Sequence, residues 1–90
     1  MIGFGRTFRV AVLSPEKRLY EGEALFASVP AWDGELGILH NHAPLMALLG
    51  AGVLRLETPQ GTRRFRVSGG FVQVEGNEVN LVSERAEPAD

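Results

Sequence analysis

The chain has 90 residues, 44% of them hydrophobic and 22% charged, with a formal net charge of −2 and no cysteine. A chain of this length forms one small domain that buries roughly 60–65% of its unfolded surface. Its ordinary charge content argues against disorder, its slightly acidic balance against nucleic acid as the main partner, and the missing cysteines against disulfides and thiolate metal sites. Residues 1–90 are expected to form a single domain. Arg6 and Arg9 are not followed by an apolar signal core, and no run approaches the ~20 apolar residues of a membrane span. The chain is therefore expected to be cytosolic or peripheral to a membrane.

The predicted elements are extended from end to end. Phe8-Arg9-Val10-Ala11-Val12 alternates as a half-buried strand does, and Leu13 extends it. Ser14-Pro15-Glu16-Lys17 is turn chemistry, with room for at most one helical turn at Ser14. Leu19 to Gly22 forms a short extended piece, and Ala24 to Val29 a strand stopped by Pro30. The stretch Ala43 to Leu49 fits either helix or strand. Leu54 to Glu57 and Arg64 to Val67 alternate around Thr58-Pro59-Gln60-Gly61, a type I turn signal, and form a hairpin. Ser68-Gly69-Gly70 marks a bulge or a close backbone approach. Phe71 to Val74 and Glu78 to Val82 flank Gly76-Asn77, a second hairpin. Residues 84–90 are charged and expected to fray. Short strands at this spacing predict an all-β fold, a flattened sandwich or barrel of about ten short, mostly antiparallel strands.

Candidate chemistry concentrates between Trp32 and Met46. His40 and His42, the only histidines, would share a face on a strand, and Gly34-x5-His40-x-His42 matches the opening of the cupin metal motif. The rest of that motif is missing, because Ala43 to Thr58 holds only Glu57 as a carboxylate and no third histidine follows. The plainer reading is a loop in which one histidine bonds backbone groups and the other faces a partner. Ser14, Ser28, Ser68 and Ser83 lie in no nucleophile elbow, and Gly69-Gly70 is not a phosphate loop. Asp33 and Glu35 fit a solvated turn better than an acid pair. Arg55, Arg63, Arg64 and Arg66 fit a solvent face and edge protection better than docking to an acidic partner. Trp32 fits either the end of the core or an exposed interface anchor. The run Pro44 to Leu49 is more apolar than one strand face requires, so part of it is core and the rest is available as a contact patch.

Four segments together resemble one family. They are Val12-Leu13-Ser14-Pro15-Glu16-Lys17-Arg18-Leu19-Tyr20-Glu21-Gly22; Asp33-Gly34-Glu35-Leu36-Gly37-Ile38-Leu39 followed by Asn41-His42-Ala43-Pro44-Leu45; Gly52 to Leu56; and Phe65 to Val74 with Asn77-Glu78-Val79. They cover roughly residues 8–87, and they resemble the N-terminal β-sandwich domain of the epsilon subunit of F-type ATP synthase. His40 departs from the pattern, which usually has proline there. Family members usually continue into a C-terminal helical hairpin that carries inhibition of ATP hydrolysis and regulatory ATP binding, and neither function is expected of the residues up to Asp90. The chain is expected to be either an isolated domain or a natural short form, with Met1 at the start and the absence of a tag leaning toward the second.

The resemblance implies a non-catalytic central-stalk subunit that couples ion flow through the rotor to ATP synthesis, without cofactor or metal. Its implied partners are the gamma subunit and the polar loops of the c-ring, with no direct insertion into the bilayer. Its implied place is the cytoplasmic face of the bacterial inner membrane, held peripherally. Asp33 and Glu35 match the position facing the ring, where a carboxylate bonds polar and basic groups. Ser14, His42, Ala43, Pro44 and Leu45 match the surface near gamma. The competing readings are a small cupin-like metal protein and a free-standing sandwich module for a peptide or carbohydrate.

Overall fold

The computed structural model describes residues 6–89. Its strands are β1 (Phe8–Leu13), β2 (Arg18–Ala24), β3 (Phe26–Ala31), β4 (Gly34–Ile38), β5 (Leu45–Leu48), β6 (Ala51–Thr58), β7 (Gly61–Glu75) and β8 (Glu78–Pro88). Eight strands replace the expected ten or so because β7 and β8 are long. The two predicted runs at 64–67 and 71–74 are one strand that bends at Gly69-Gly70. Its first half pairs with β6, and its second half pairs with β5. Strand β8 follows β7 through the bend, antiparallel from Glu75↔Glu78 to Phe65↔Pro88.

This sharing builds the sandwich. One layer runs β2-β1-β8-β7-β5 and the other β8-β7-β6-β3-β4, joined through the two bent strands. Among the described residues only the β1–β8 pair is parallel. Alternating residues of both layers meet in one core that includes Val10, Val12, Val29, Ile38, Leu54, Leu56, Phe65, Val67, Val72 and Leu81, each at most 1% exposed. Fully burying side chains of this size stabilises by about 1.5–3 kcal/mol each before entropy is counted.

Three local expectations change. Residues 84–88 do not fray but form the end of β8, where Ala86 packs against the core; Asp90 lies outside the described residues. Pro30 does not stop β3 but sits inside it, opposite Glu35. Its carbonyl accepts the Gly50 N–H at 2.9 Å, so its missing N–H points to the same side, away from β4. Arg64 and Arg66 lie on the solvent face, as expected, but on an interior strand, so they protect no edge. Arg66 instead meets Glu87 at 3.8 Å across the β7–β8 ladder.

Candidate functional site

The acidic pair belongs to the β3–β4 hairpin. Trp32 and Asp33 form its turn, and Gly34 at φ 139° starts the return strand. Both Asp33 and Glu35 are exposed. The Ser28 hydroxyl donates to Glu35 Oε2 at 2.7 Å, which holds the carboxylate along the strand with its other oxygen available. Glu35 is thus an oriented acceptor on a rigid hairpin, the arrangement that recognises a cationic or polar donor.

The second group follows β4. Residues Leu39–Pro44 carry the chain from one layer to the other, and Leu39–His42 closes as a turn, with the His42 N–H donating to the Leu39 carbonyl at 3.1 Å. His42 Nδ1–H donates to the carbonyl of Ala43 at 2.7 Å, which fulfils the role foreseen for one of the two histidines. The two rings therefore stand on a turn rather than a strand. Among the described residues no three His, Cys, Asp or Glu side chains group as metal ligands. Ala43 and Pro44 are exposed, and Leu45 enters β5 half-buried.

The region Ala43 to Leu49 resolves as a strand. Strand β5 pairs with β7 in the register Leu45↔Val74 to Leu48↔Phe71. The alternate residues Met46 and Leu48 point outward, 63% and 62% exposed, beside Trp32 at 69%. The Trp32 N–H donates to the Leu48 carbonyl at 3.0 Å, so the hairpin turn and the end of β5 are tied together. Trp32 is therefore exposed and not a core cap. Phe71, opposite Leu48, extends this apolar shelf. Asp33, Glu35, Leu45, Met46 and Leu48 line one open groove between β4 and β5. A groove that joins acidic and apolar side chains between two strands suits an amphipathic protein surface.

Ser14 stands apart. Its hydroxyl closes the β1–β2 turn on Lys17, accepting from the Lys17 N–H at 3.2 Å. Strand β1 begins beside Asn77, which contacts the His42 loop, and ends at Leu13, just before Ser14. That strand of 6 residues separates the two by roughly 15–20 Å. The structure thus groups Asp33, Glu35 and Leu45, with His42, Ala43 and Pro44 leading into β5, and leaves Ser14 at the far end. Sequence reasoning missed Phe71, whose outward direction follows only from its register with Leu48.

Comparison with known proteins points one way. The family model of the ATP synthase delta/epsilon chain β-sandwich domain matches residues 7–89. An ATP synthase epsilon chain of Rhodopirellula baltica is 45% identical over 84 residues, which covers 93% of this chain and 66% of the relative. The epsilon chain of Syntrophomonas wolfei is 46% identical over 82 residues, covering 90% and 60%. The chain thus spans a little under two thirds of the length of these relatives. Among solved structures, a chain of the Euglena gracilis mitochondrial ATP synthase OSCP/F1/c-ring assembly superposes with a TM-score of 0.84 at 21% identity, covering 91% of this chain and 53% of that one. A chain of the Tetrahymena thermophila ATP synthase central stalk and c-ring superposes at 0.72 with 18% identity, covering 88% and 64%. At these identities the likeness is one of fold.

Proposed function

The chain belongs to the ATP synthase delta/epsilon chain β-sandwich family, and from that membership we propose that it is a non-catalytic docking module of the rotor. It binds the gamma subunit through the apolar shelf of Trp32, Met46 and Leu48 with the adjoining His42–Leu45 segment, and it meets the polar loops of the c-ring through Asp33 and Glu35. The observation that carries this reading is the groove in which the acidic turn and the apolar edge strand lie side by side. One rigid body then holds both partners, and torque passes between them through a hydrogen-bonded sandwich. The module sits on the cytoplasmic face of the membrane as a peripheral part of the complex. Among the described residues no helix is long and apolar enough to cross a bilayer.

The direction of charge supports the assignment of the two sides. Glu35 is already oriented by Ser28, so little ordering is needed when a donor from a ring loop arrives. The gamma side is apolar, where complementarity and desolvation supply affinity. Ser14, at the opposite end of β1, does not belong to this surface in the present reading.

Co-elution with recombinant gamma and with purified c-ring tests the proposal. Wild-type chain is expected to bind both. Glu35→Gln is expected to weaken ring binding roughly three- to tenfold, the loss of one charge-assisted hydrogen bond at an accessible site, and to leave gamma binding unchanged. Equal ring binding by wild type and Glu35→Gln would remove the acidic turn from the interface.

A further inference from the structure

The turn that presents His42 is held by a residue far away in sequence. Asn41 is its third residue, with φ at 65°, a left-handed conformation that L side chains seldom adopt and that asparagine tolerates better than most. A positive φ at the third position is what a type II turn requires. Here the preceding residue is His40, whose own φ is not locked as that of a proline would be.

The missing constraint comes from Asn77. The Asn41 N–H donates to Asn77 Oδ1 at 2.7 Å, and Asn77 Nδ2 donates in return to Asn41 Oδ1 at 3.1 Å. The two amides thus clasp each other across a sequence separation of 36. Asn77 is itself firmly placed. Gly76 and Asn77 have φ of 59° and 60°, the signature of a type I′ hairpin turn between β7 and β8. The Asn77 carbonyl accepts the Arg9 N–H at 2.9 Å, where the parallel β1–β8 ladder begins. Asn77 is half-buried while Asn41 is exposed. One side of the clasp therefore belongs to the well-paired sheet, and the other to a loop without ladder bonds of its own.

We propose that Asn77 is a positioning residue for gamma docking. Its clasp with Asn41 sets the Leu39–His42 turn before the partner arrives, and with it the direction of His42, Ala43 and Pro44. Ordering that would otherwise oppose binding is then complete in the free chain. The inference rests on the reading that this loop faces gamma. It differs from a purely structural role for the pair, which would support the fold and both interfaces alike.

Asn77→Gly and Asn41→Gly each delete one amide while permitting the positive φ, so neither turn is forced to change. Gamma and c-ring affinities are measured for both, for the double variant and for Asn77→Asp, which keeps the acceptor facing the Asn41 N–H. Asn77→Gly removes both bonds and is expected to lose about five- to tenfold in gamma affinity; Asn41→Gly keeps its backbone N–H on Asn77 Oδ1 and should lose less; both should keep their ring affinity. The double variant should be no worse than the weaker single one, because the two residues act as a unit. Asn77→Asp should recover part of the loss. The proposal is overturned if Asn77→Gly binds gamma as wild type does, if gamma and ring affinities fall together, or if the two single losses add. A wild-type chain that fails to bind gamma overturns the underlying assignment of the loop, and this inference with it.

Discussion

Gly70 shows how a single residue limits the fold. A Cβ built there would lie 1.9 Å from the Val82 carbonyl oxygen, and its φ is 103°. Gly70→Ala is expected to cost more than about 3 kcal/mol, because the clash is with backbone that belongs to the adjacent strand. Gly34 has a comparable φ of 139° but nothing near its missing Cβ. Gly34→Ala should therefore cost only the conformational strain, about 1–2 kcal/mol. Urea midpoints of the two variants check the contrast, and similar losses would contradict it. Ser83 works alongside this bend. Its buried hydroxyl has one proton to donate, with the Arg85 carbonyl the nearer acceptor at 2.6 Å and the Ser68 carbonyl at 3.2 Å, and it accepts the Ser68 N–H at 3.2 Å. Ser83→Ala leaves that N–H without its partner and is expected to cost about 1–3 kcal/mol by the same assay. The Ser68-Gly69-Gly70 run was legible in the sequence as a place of close approach, because paired glycines inside a strand pattern need a backbone reason. That Gly70 meets the tighter limit was not legible, since the limit is set by the carbonyl of Val82 on another strand.

At the scale of elements, β5 allows the residues that stabilise the fold to be tested apart from those proposed to serve a partner. Leu48 is 62% exposed, whereas Leu54 on β6 is fully buried. Leu54→Ala should destabilise by about 2–5 kcal/mol. Leu48→Ser should change stability by less than about 0.5 kcal/mol, yet lower gamma affinity at least roughly fivefold, as removal of an apolar anchor does. Thermal unfolding and gamma titration of the same protein decide between a docking strand and an ordinary surface strand. The sequence left Ala43 to Leu49 open between helix and strand because an apolar run this short has no readable period. Tertiary pairing settled it: Leu45 to Leu48 find the unpaired side of Val74 to Phe71. The hairpins at Pro59-Gln60 and Gly76-Asn77 were legible because turn residues act locally. The Asn41–Asn77 clasp was hidden for the opposite reason, since two asparagines in separate turns signal nothing until the fold places them together.

For the whole molecule, β7 and β8 matter most because each passes through both layers. The layers share one continuous core, so neither can unfold while the other keeps its packing. The chain is expected to unfold in one cooperative transition, with coincident curves from far-UV circular dichroism and from the hydrogen exchange of both layers. The same continuity suits a body that carries torque between two partners. The family was legible from the Asp33-to-Leu45 segment combined with Ser68-Gly69-Gly70, and the sandwich from alternation and turn chemistry. The proposed interaction surface was legible only through that family resemblance, which pointed to the Glu35 hairpin and the His42–Leu45 segment, whereas the apolar shelf depends on which residues of β5 face outward, set by its register with β7. Because the chain contains no cysteine, single-cysteine variants at Glu35 and His42 report their neighbours without background. The most direct test of two-sided docking is disulfide cross-linking of Glu35→Cys and His42→Cys in a reconstituted rotor whose gamma and c subunits carry single cysteines. Two-sided docking predicts that position 35 cross-links to c and position 42 to gamma. Cross-linking of neither, or the reverse assignment, would contradict it.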